Sequence, residues 1–207
     1  LSPDLRRFVV RRAGGNPRFA REILLDLIET GVMEETGGGW LLRTSPEEGR
    51  IPSSLSGAVR SRVDRLPSRL RKALQISAVL GFEFPVGLYE RTASRLGQTH
   101  PGDDLRDLVS LGIFSRHRAE GVETVTASDE LAMKAAYDGL LFQNRTLIHR
   151  CAAESLVSSR ELRPGEAGMI ARHLSRAGEY GEASKWAVRA ALEASASSQG
   201  RTASFWA

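Results

Sequence analysis

The residues with the clearest chemical potential are Gly14-Gly15-Asn16-Pro17, because paired glycines ahead of a capping residue let backbone pass close to whatever lies beside a helix start. Gly14 ends one predicted helix. Asn16 caps the next through its side-chain oxygen, and Pro17 suits the first helical position, where its missing N–H would have had no partner. The free N–H groups of that second helix would face a neighbour, for which a phosphate and a nucleotide base are both candidates. An αα-corner whose glycines merely make the turn is the plain alternative.

Other patterns that could carry catalysis are missing. A nucleotide-hydrolysing loop needs Gly-x4-Gly-Lys-Ser/Thr, and the lysines here, Lys72, Lys134 and Lys185, are followed by Ala, Ala and Trp. No Gly-x-Ser-x-Gly elbow or Cys/His couple stands out. The pairs Asp103-Asp104 and Glu34-Glu35 are adjacent, so their side chains diverge on a helix or strand and read as surface charge. His100, His117, His149 and His173 lack partners at metal-ligand spacing, and Cys151 reads as a small buried residue. No catalytic residue, metal site or cofactor is therefore expected within this sequence.

The elements that hold the corner follow from periodicity. Ser2-Pro3-Asp4 opens a helix with Leu5, Phe8 and Val9 on one side; the helix after Pro17 carries Phe19, Ile23, Leu24, Leu27 and Ile28, and Gly31 closes it. Val32–Glu35 and Trp40–Arg43 flank Gly37-Gly38-Gly39 as a short β-hairpin, and residues 44–50 read as a linker. Residues 1–50 thus form a first domain.

From Ile51 two helices follow, the first with Leu55, Ala58, Val59, Val63 and Leu66, the second with Leu70, Ala73, Leu74, Ser77 and Leu80, separated at Pro67-Ser68. Arg60, Arg62, Arg65, Arg69, Arg71 and Lys72 gather across this junction, either as a solvated helix surface or as an anion or partner patch. Then come an extended piece at Phe82–Phe84, helices at Val86–Leu96 and Asp103–Leu111, and strands Ile113–Arg118 and Val122–Ala127 around Glu120-Gly121. This order is that of a winged-helix domain, residues 51–141, with a small β-wing. Ser128-Asp129 caps a helix to Leu141. Residues 142–194 hold a helix from Asn144 to Val157 and a hairpin of helices Glu166–Ala177 and Glu182–Ala194, and residues 195–207 read as a frayed tail. The fold class expected is mainly α.

The run Ala13–Pro17, then Glu22-Ile-Leu, Thr30-Gly31-Val32 and Gly39-Trp40, resembles the helical lid of STAND-class signalling NTPases, bacterial relatives of AAA+ ATPases. In that family a Gly-x-Pro motif sets its proline against the adenine of bound nucleotide, which implies nucleotide contact by Gly15, Asn16 and Pro17. Residues 51–141 resemble the family's winged helix, and 166–194 the opening of a TPR-like repeat. The family often carries a histidine after the second wing strand that reads the nucleotide; Asp129 stands there, a departure that would repel a diphosphate. The resemblance implies a parent protein with an upstream P-loop NTPase domain using ATP or ADP with Mg, downstream helical repeats or an effector domain, and protein partners. Such proteins include transcription activators, cyclases and Ser/Thr kinases.

Charge bears on the alternatives. Residues 1–80 hold 14 basic and 9 acidic side chains, residues 81–130 hold 5 and 9, and residues 131–207 hold 10 and 7. The helix that would enter a DNA groove carries Asp103, Asp104, Arg106 and Asp107, the wrong sign for binding phosphates, so DNA binding by the winged helix itself is not expected. A DNA-binding regulator using the Arg60–Lys72 cations and a nucleotide-independent protein scaffold remain the alternatives. With 41% hydrophobic and 26% charged residues, no apolar run near ~20 residues and no signal peptide, the sequence reads as a piece of a longer cytoplasmic protein with no membrane segment.

Overall fold

A computed structural model describes residues 3–37, 39–43, 54–119, 121–158 and 162–205. The expected Ser2 cap, the linker at 44–50, the helix opening at 51–53, Gly38 and the wing residue Glu120 lie outside them. Among the described residues the chain is mainly helical, with ten helices and two small antiparallel sheets, and it divides into compact units at Pro67/Ser68.

The first unit contains α1 (Pro3–Ala13), α2 (Pro17–Glu29), β1 (Met33–Thr36), β2 (Gly39–Leu42) and α3 (Leu55–Arg65). Leu5, Val9, Ala13, Phe19, Ile23, Leu27, Met33 and Ala58 form its core, with Phe8, Leu24 and Trp40 packed against it. Leu5 and Ile23 are fully buried, each contributing about 1.5–3 kcal/mol relative to exposure. The hairpin pairs Met33 with Leu42 and Thr36 with Gly39, whose φ of 126° suits the glycine tip.

The sequence boundary at residue 50 would give α3 to the second domain, whereas its packing belongs to α2. Glu22 and Asp26 lie inside the buried stripe of α2 at 4% and 6% exposure, where an unpaired carboxylate would be costly. Arg65 of α3 donates to Asp26 at 2.7 Å and to Glu29 at 3.0 Å, and Arg62 Nε lies 3.4 Å from Glu22. These contacts and Ala58 tie α3 into the unit.

In the second unit α4 (Ser68–Leu80) is packed by α5 (Val86–Arg95), α6 (Pro101–Ser110), α7 (Glu130–Asp138) and α8 (Phe142–Val157). Its apolar residues wrap most of its circumference, as a central helix requires. Strands β3 (Glu83–Pro85), β4 (Phe114–Ala119) and β5 (Val122–Ala127) form an antiparallel sheet in the order β3-β5-β4, with Phe84 opposite Val125 and Phe114 opposite Ala127. Phe84 meets Phe114 edge-on, their centroids 5.8 Å apart, and Tyr89 from α5 completes the aromatic group.

Helices α8, α9 (Glu166–Arg176) and α10 (Tyr180–Phe205) pack in succession. Gly178, at φ 81°, makes the α9–α10 turn, with its N–H bonded to Ser175 O and that of Glu179 to Leu174 O. Gly168 faces α10, where a Cβ would make only an ordinary contact with Ala190 Cβ at 3.8 Å. The tail expected from Ser195 is helical instead: with no proline to interrupt it, α10 continues to Phe205. Helix α8 also starts at Phe142, two residues ahead of the expected Asn144.

Candidate functional site

The glycine corner is built locally. Gly14 and Gly15 take φ values of 56° and 79°, a left-handed pair that reverses the chain after α1, and Asn16 N–H bonds back to Ala13 O at 3.0 Å. Asn16 Oδ1 then accepts from Arg18 N at 3.0 Å and Phe19 N at 3.2 Å, while Asn16 O accepts from Ala20 N.

This changes one expectation. Pro17 has no N–H and the next three amides are bonded to Asn16, so the α2 start does not offer the free N–H groups that would cradle a phosphate. What the corner does offer is exposed: the Pro17 ring, the Gly14-Gly15 backbone and the outer edge of Asn16. A Cβ on either glycine would meet nothing within 4 Å, so the space beside them is open. Such a surface fits a flat group laid against it better than an anion held by amides.

The Arg60–Lys72 cations are divided between the two units. Arg60, Arg62 and Arg65 belong to the first unit, and Arg69, Arg71 and Lys72 to the second. Arg62 and Arg65 face the α2 carboxylates as described. Arg69 donates to Asp104 at 2.6 Å and to Asp107 at 2.5 Å, clamping α6 to the start of α4, while Lys72 Nζ donates to Leu96 O at 3.0 Å, the carbonyl end of α5. Arg106 pairs with Asp103 on α6 itself. Arg60 is exposed on α3 and Arg71 lines a cleft beside α8.

Asp129, at the position where the resemblance implies a histidine, is the N-cap of α7. Its Oδ1 accepts from Ala132 N at 3.0 Å, and its own N–H bonds to Ile113 O at 3.3 Å. Its carboxylate thus has a structural use within the second unit.

One cluster was not anticipated by the spacing of the histidines. His149 of α8 and His173 of α9 meet with Nδ1 atoms 2.8 Å apart, and Tyr137 Oη lies 3.3 Å from His149 Nε2. Arg145 stacks over the Tyr137 ring at 4.3 Å and donates to Tyr137 O and Leu140 O, holding the end of α7. Burial, with Arg172, Arg176 and Arg145 adding repulsion, pushes His149 down to about 4; burial, with His149 and Arg172, pushes His173 down to about 3. Both rings are neutral at pH 7.

In a neutral pair one Nδ1–H donates to the other Nδ1, and the choice of tautomer sets whether Tyr137 donates to or accepts from His149 Nε2. Under either choice His173 Nε2 has no hydrogen-bond partner, and His173 is fully buried. At its His173 end the chain of groups therefore stops inside the protein. Among the described residues no three His, Cys, Asp or Glu side chains come together as metal ligands, and none of the helices is long and apolar enough to cross a membrane. A sequence signal for the pair did exist: His173 continues the stripe Ile170, Leu174, Ala177 at helical spacing, which places it in the core.

The corner and the cleft beside α8 are both accessible. Comparison with protein-family models, curated proteins and solved structures finds no match to this chain.

Proposed function

We propose that the chain is a regulatory segment of a bacterial STAND-type signalling ATPase, coupling the ATP or ADP state of an upstream P-loop domain to a helical-repeat sensor and effector. It acts in this reading by binding and conformational change, with no chemistry of its own. The observation that carries the reading is the corner at Gly14–Pro17, where a rigid left-handed turn and a capped helix start hold a proline ring outward beside open glycine backbone. A purine base is a flat group of the kind that surface would accept.

Secondary support comes from element order. The sequence α4, β3, α5, α6, β4, β5 with sheet order β3-β5-β4 is compatible with a winged helix, and the antiparallel pair α9–α10 with the opening of a TPR-like repeat. In a nucleotide switch these parts would carry the change of state from the lid to the repeats. The groove-entering position of a winged helix falls to α6, whose Asp103, Asp104 and Asp107 weigh against DNA.

The experiment is a calorimetric titration of ADP into the chain joined to its upstream domain. Pro17→Ala and Gly15→Val are each expected to weaken ADP by about tenfold, roughly 1.4 kcal/mol. Affinity in both variants equal to that of the parent protein refutes the nucleotide role. The second reading, a protein scaffold indifferent to nucleotide, is favoured by the use of Asp129 as a helix cap, and would then take its place.

A further inference from the structure

The second unit carries a cleft of about 370 Å³, within the range of about 300–1,000 Å³ typical of small-molecule sites. Its lining comes from α4, from Leu96 at the end of α5, from Leu140 in the α7–α8 connection and from α8. Ile76, Leu140 and Ile148 are buried and make an apolar floor, while Leu147 stands on the rim with 48% of its surface exposed. An apolar body laid on that floor would leave water for contact with three buried side chains.

The polar part of the lining has hydrogen-bonding capacity to spare. Ser68, Gln75 and Asn144 belong to it, and among the described residues none of these side chains bonds to the rest of the protein. Lys72 Nζ donates to Leu96 O at 3.0 Å, which holds the ammonium at the α5 side of the cleft and leaves two of its three N–H groups for another acceptor. Among the described residues no carboxylate pairs with Lys72, and none of the lining side chains is acidic. Arg71 lines the cleft as well but already has a partner, so the positive charge open to a ligand is that of Lys72. One cation among neutral donors, above an apolar floor, matches a single negative charge on an apolar body; a doubly charged phosphate would lack a second cation.

We propose that this cleft binds a small monocarboxylate with an apolar tail, the carboxylate held by Lys72 with the amides of Gln75 and Asn144, and the tail lying on Ile76, Leu140 and Ile148. At about 30 Å³ for each non-hydrogen atom the cleft holds roughly a dozen, the size of an eight- to ten-carbon chain acid. The apolar floor supplies affinity, and Lys72 selects an anion over a neutral or cationic molecule of the same shape. A ligand that touches α4 and α8 together favours the arrangement in which these helices are packed, so its binding stabilises the second unit. This inference does not rest on the nucleotide reading, since none of these residues belongs to the corner.

The test is an NMR titration of the 207-residue chain with octanoate, beside 1-octanol and octylammonium as neutral and cationic counterparts. Expected is one octanoate per chain with a dissociation constant of about 0.1–1 mM, as suits a ligand of this size, and amide shifts that centre on the α4 and α8 residues of the lining. Octanol and octylammonium are expected to bind about fivefold more weakly or less. Lys72→Gln, which keeps a donor for Leu96 O, is expected to bring octanoate down to the affinity of octanol while leaving octanol unchanged. Leu147→Asp, which sets a negative charge on the rim, is expected to weaken octanoate by a similar factor. Circular dichroism melting of both variants separates lost binding from lost folding, and Leu147, half-exposed, tolerates the change. Absence of octanoate binding, several octanoates per chain, octanol or octylammonium bound as tightly as octanoate, or an octanoate affinity that a folded variant leaves unchanged overturns the proposal.

Discussion

Acid should weaken the second unit through the buried histidine pair, and over a range where the ordinary acidic side chains are still charged. His149 and His173 are pushed to about 4 and about 3 in the folded chain, against about 6.5 for an unperturbed imidazole. Between pH 8 and pH 5 the unfolded chain takes up a proton at each ring while the folded chain takes up almost none. The unfolded state binds more protons, so stability rises with pH and is lost as pH falls through the unfolded value. Each ring contributes close to 1.5 pH units of that uptake at 1.36 kcal/mol per unit, so the pair accounts for about 4 kcal/mol between pH 8 and pH 5. That figure needs both folded values to lie well below 5, as they do. It is a large part of the ~5–15 kcal/mol by which a domain is usually stable. The assay is hydrogen exchange of the α8 and α9 amides, read by mass spectrometry in a urea series at pH 8, 7, 6 and 5, because the chain has separate compact units and a single melting curve would mix them. The control replaces both rings together, His149→Phe with His173→Leu, since changing one alone would leave its partner's nitrogen unpaired. A loss between pH 8 and pH 5 that is as large in the double variant as in the parent chain would refute the reasoning.

Two further outcomes concern the first unit, read from the α2 amides by the same exchange method. Asn16→Ala should cost about 1 kcal/mol, because Arg18 and Phe19 N–H lose their acceptor, and Asn16→Asp should restore most of it; equal protection in all three chains would show that the cap is dispensable. Arg65→Leu should cost roughly 1–3 kcal/mol by leaving Asp26 buried without its cation, discounted because Arg65 is itself 37% exposed, and Asp26→Leu in the same chain should recover much of the loss. If the double variant is no better than the single, the pair does not hold α3 to α2.

The parts legible from sequence were those whose causes are local. Asn16-Pro17 after paired glycines fixes a helix start within four residues, and the structure has that cap with the bonds expected of Asn16. The strands at β4 and β5 were readable because Phe114 and Val125 sit in short β-branched or aromatic runs broken by Gly112 and Gly121. The less legible parts depend on partners far along the chain. The place of α3 follows from Glu22 and Asp26, acids inside an apolar stripe that must find cations; Arg62 and Arg65 satisfy them some forty positions later. The histidine pair needs α8 and α9 to be packed before a separation of 24 positions along the chain becomes 2.8 Å. No periodicity within either helix contains that information.

The distribution of arginine also alters what net charge can mean here. A total of +4 invites a search for a basic face, and six cations between Arg60 and Lys72 appear to supply one. Yet Arg62, Arg65 and Arg69 stand against carboxylates from α2 and α6, and Lys72 closes the end of α5. Each exposed pair is worth only ~0.2–1 kcal/mol, so energy alone would not forbid an arginine from leaving for a phosphate. The stronger objection lies within each unit: the carboxylates of Glu22, Asp26, Asp104 and Asp107 that face Arg62, Arg65 and Arg69 would still repel an incoming phosphate.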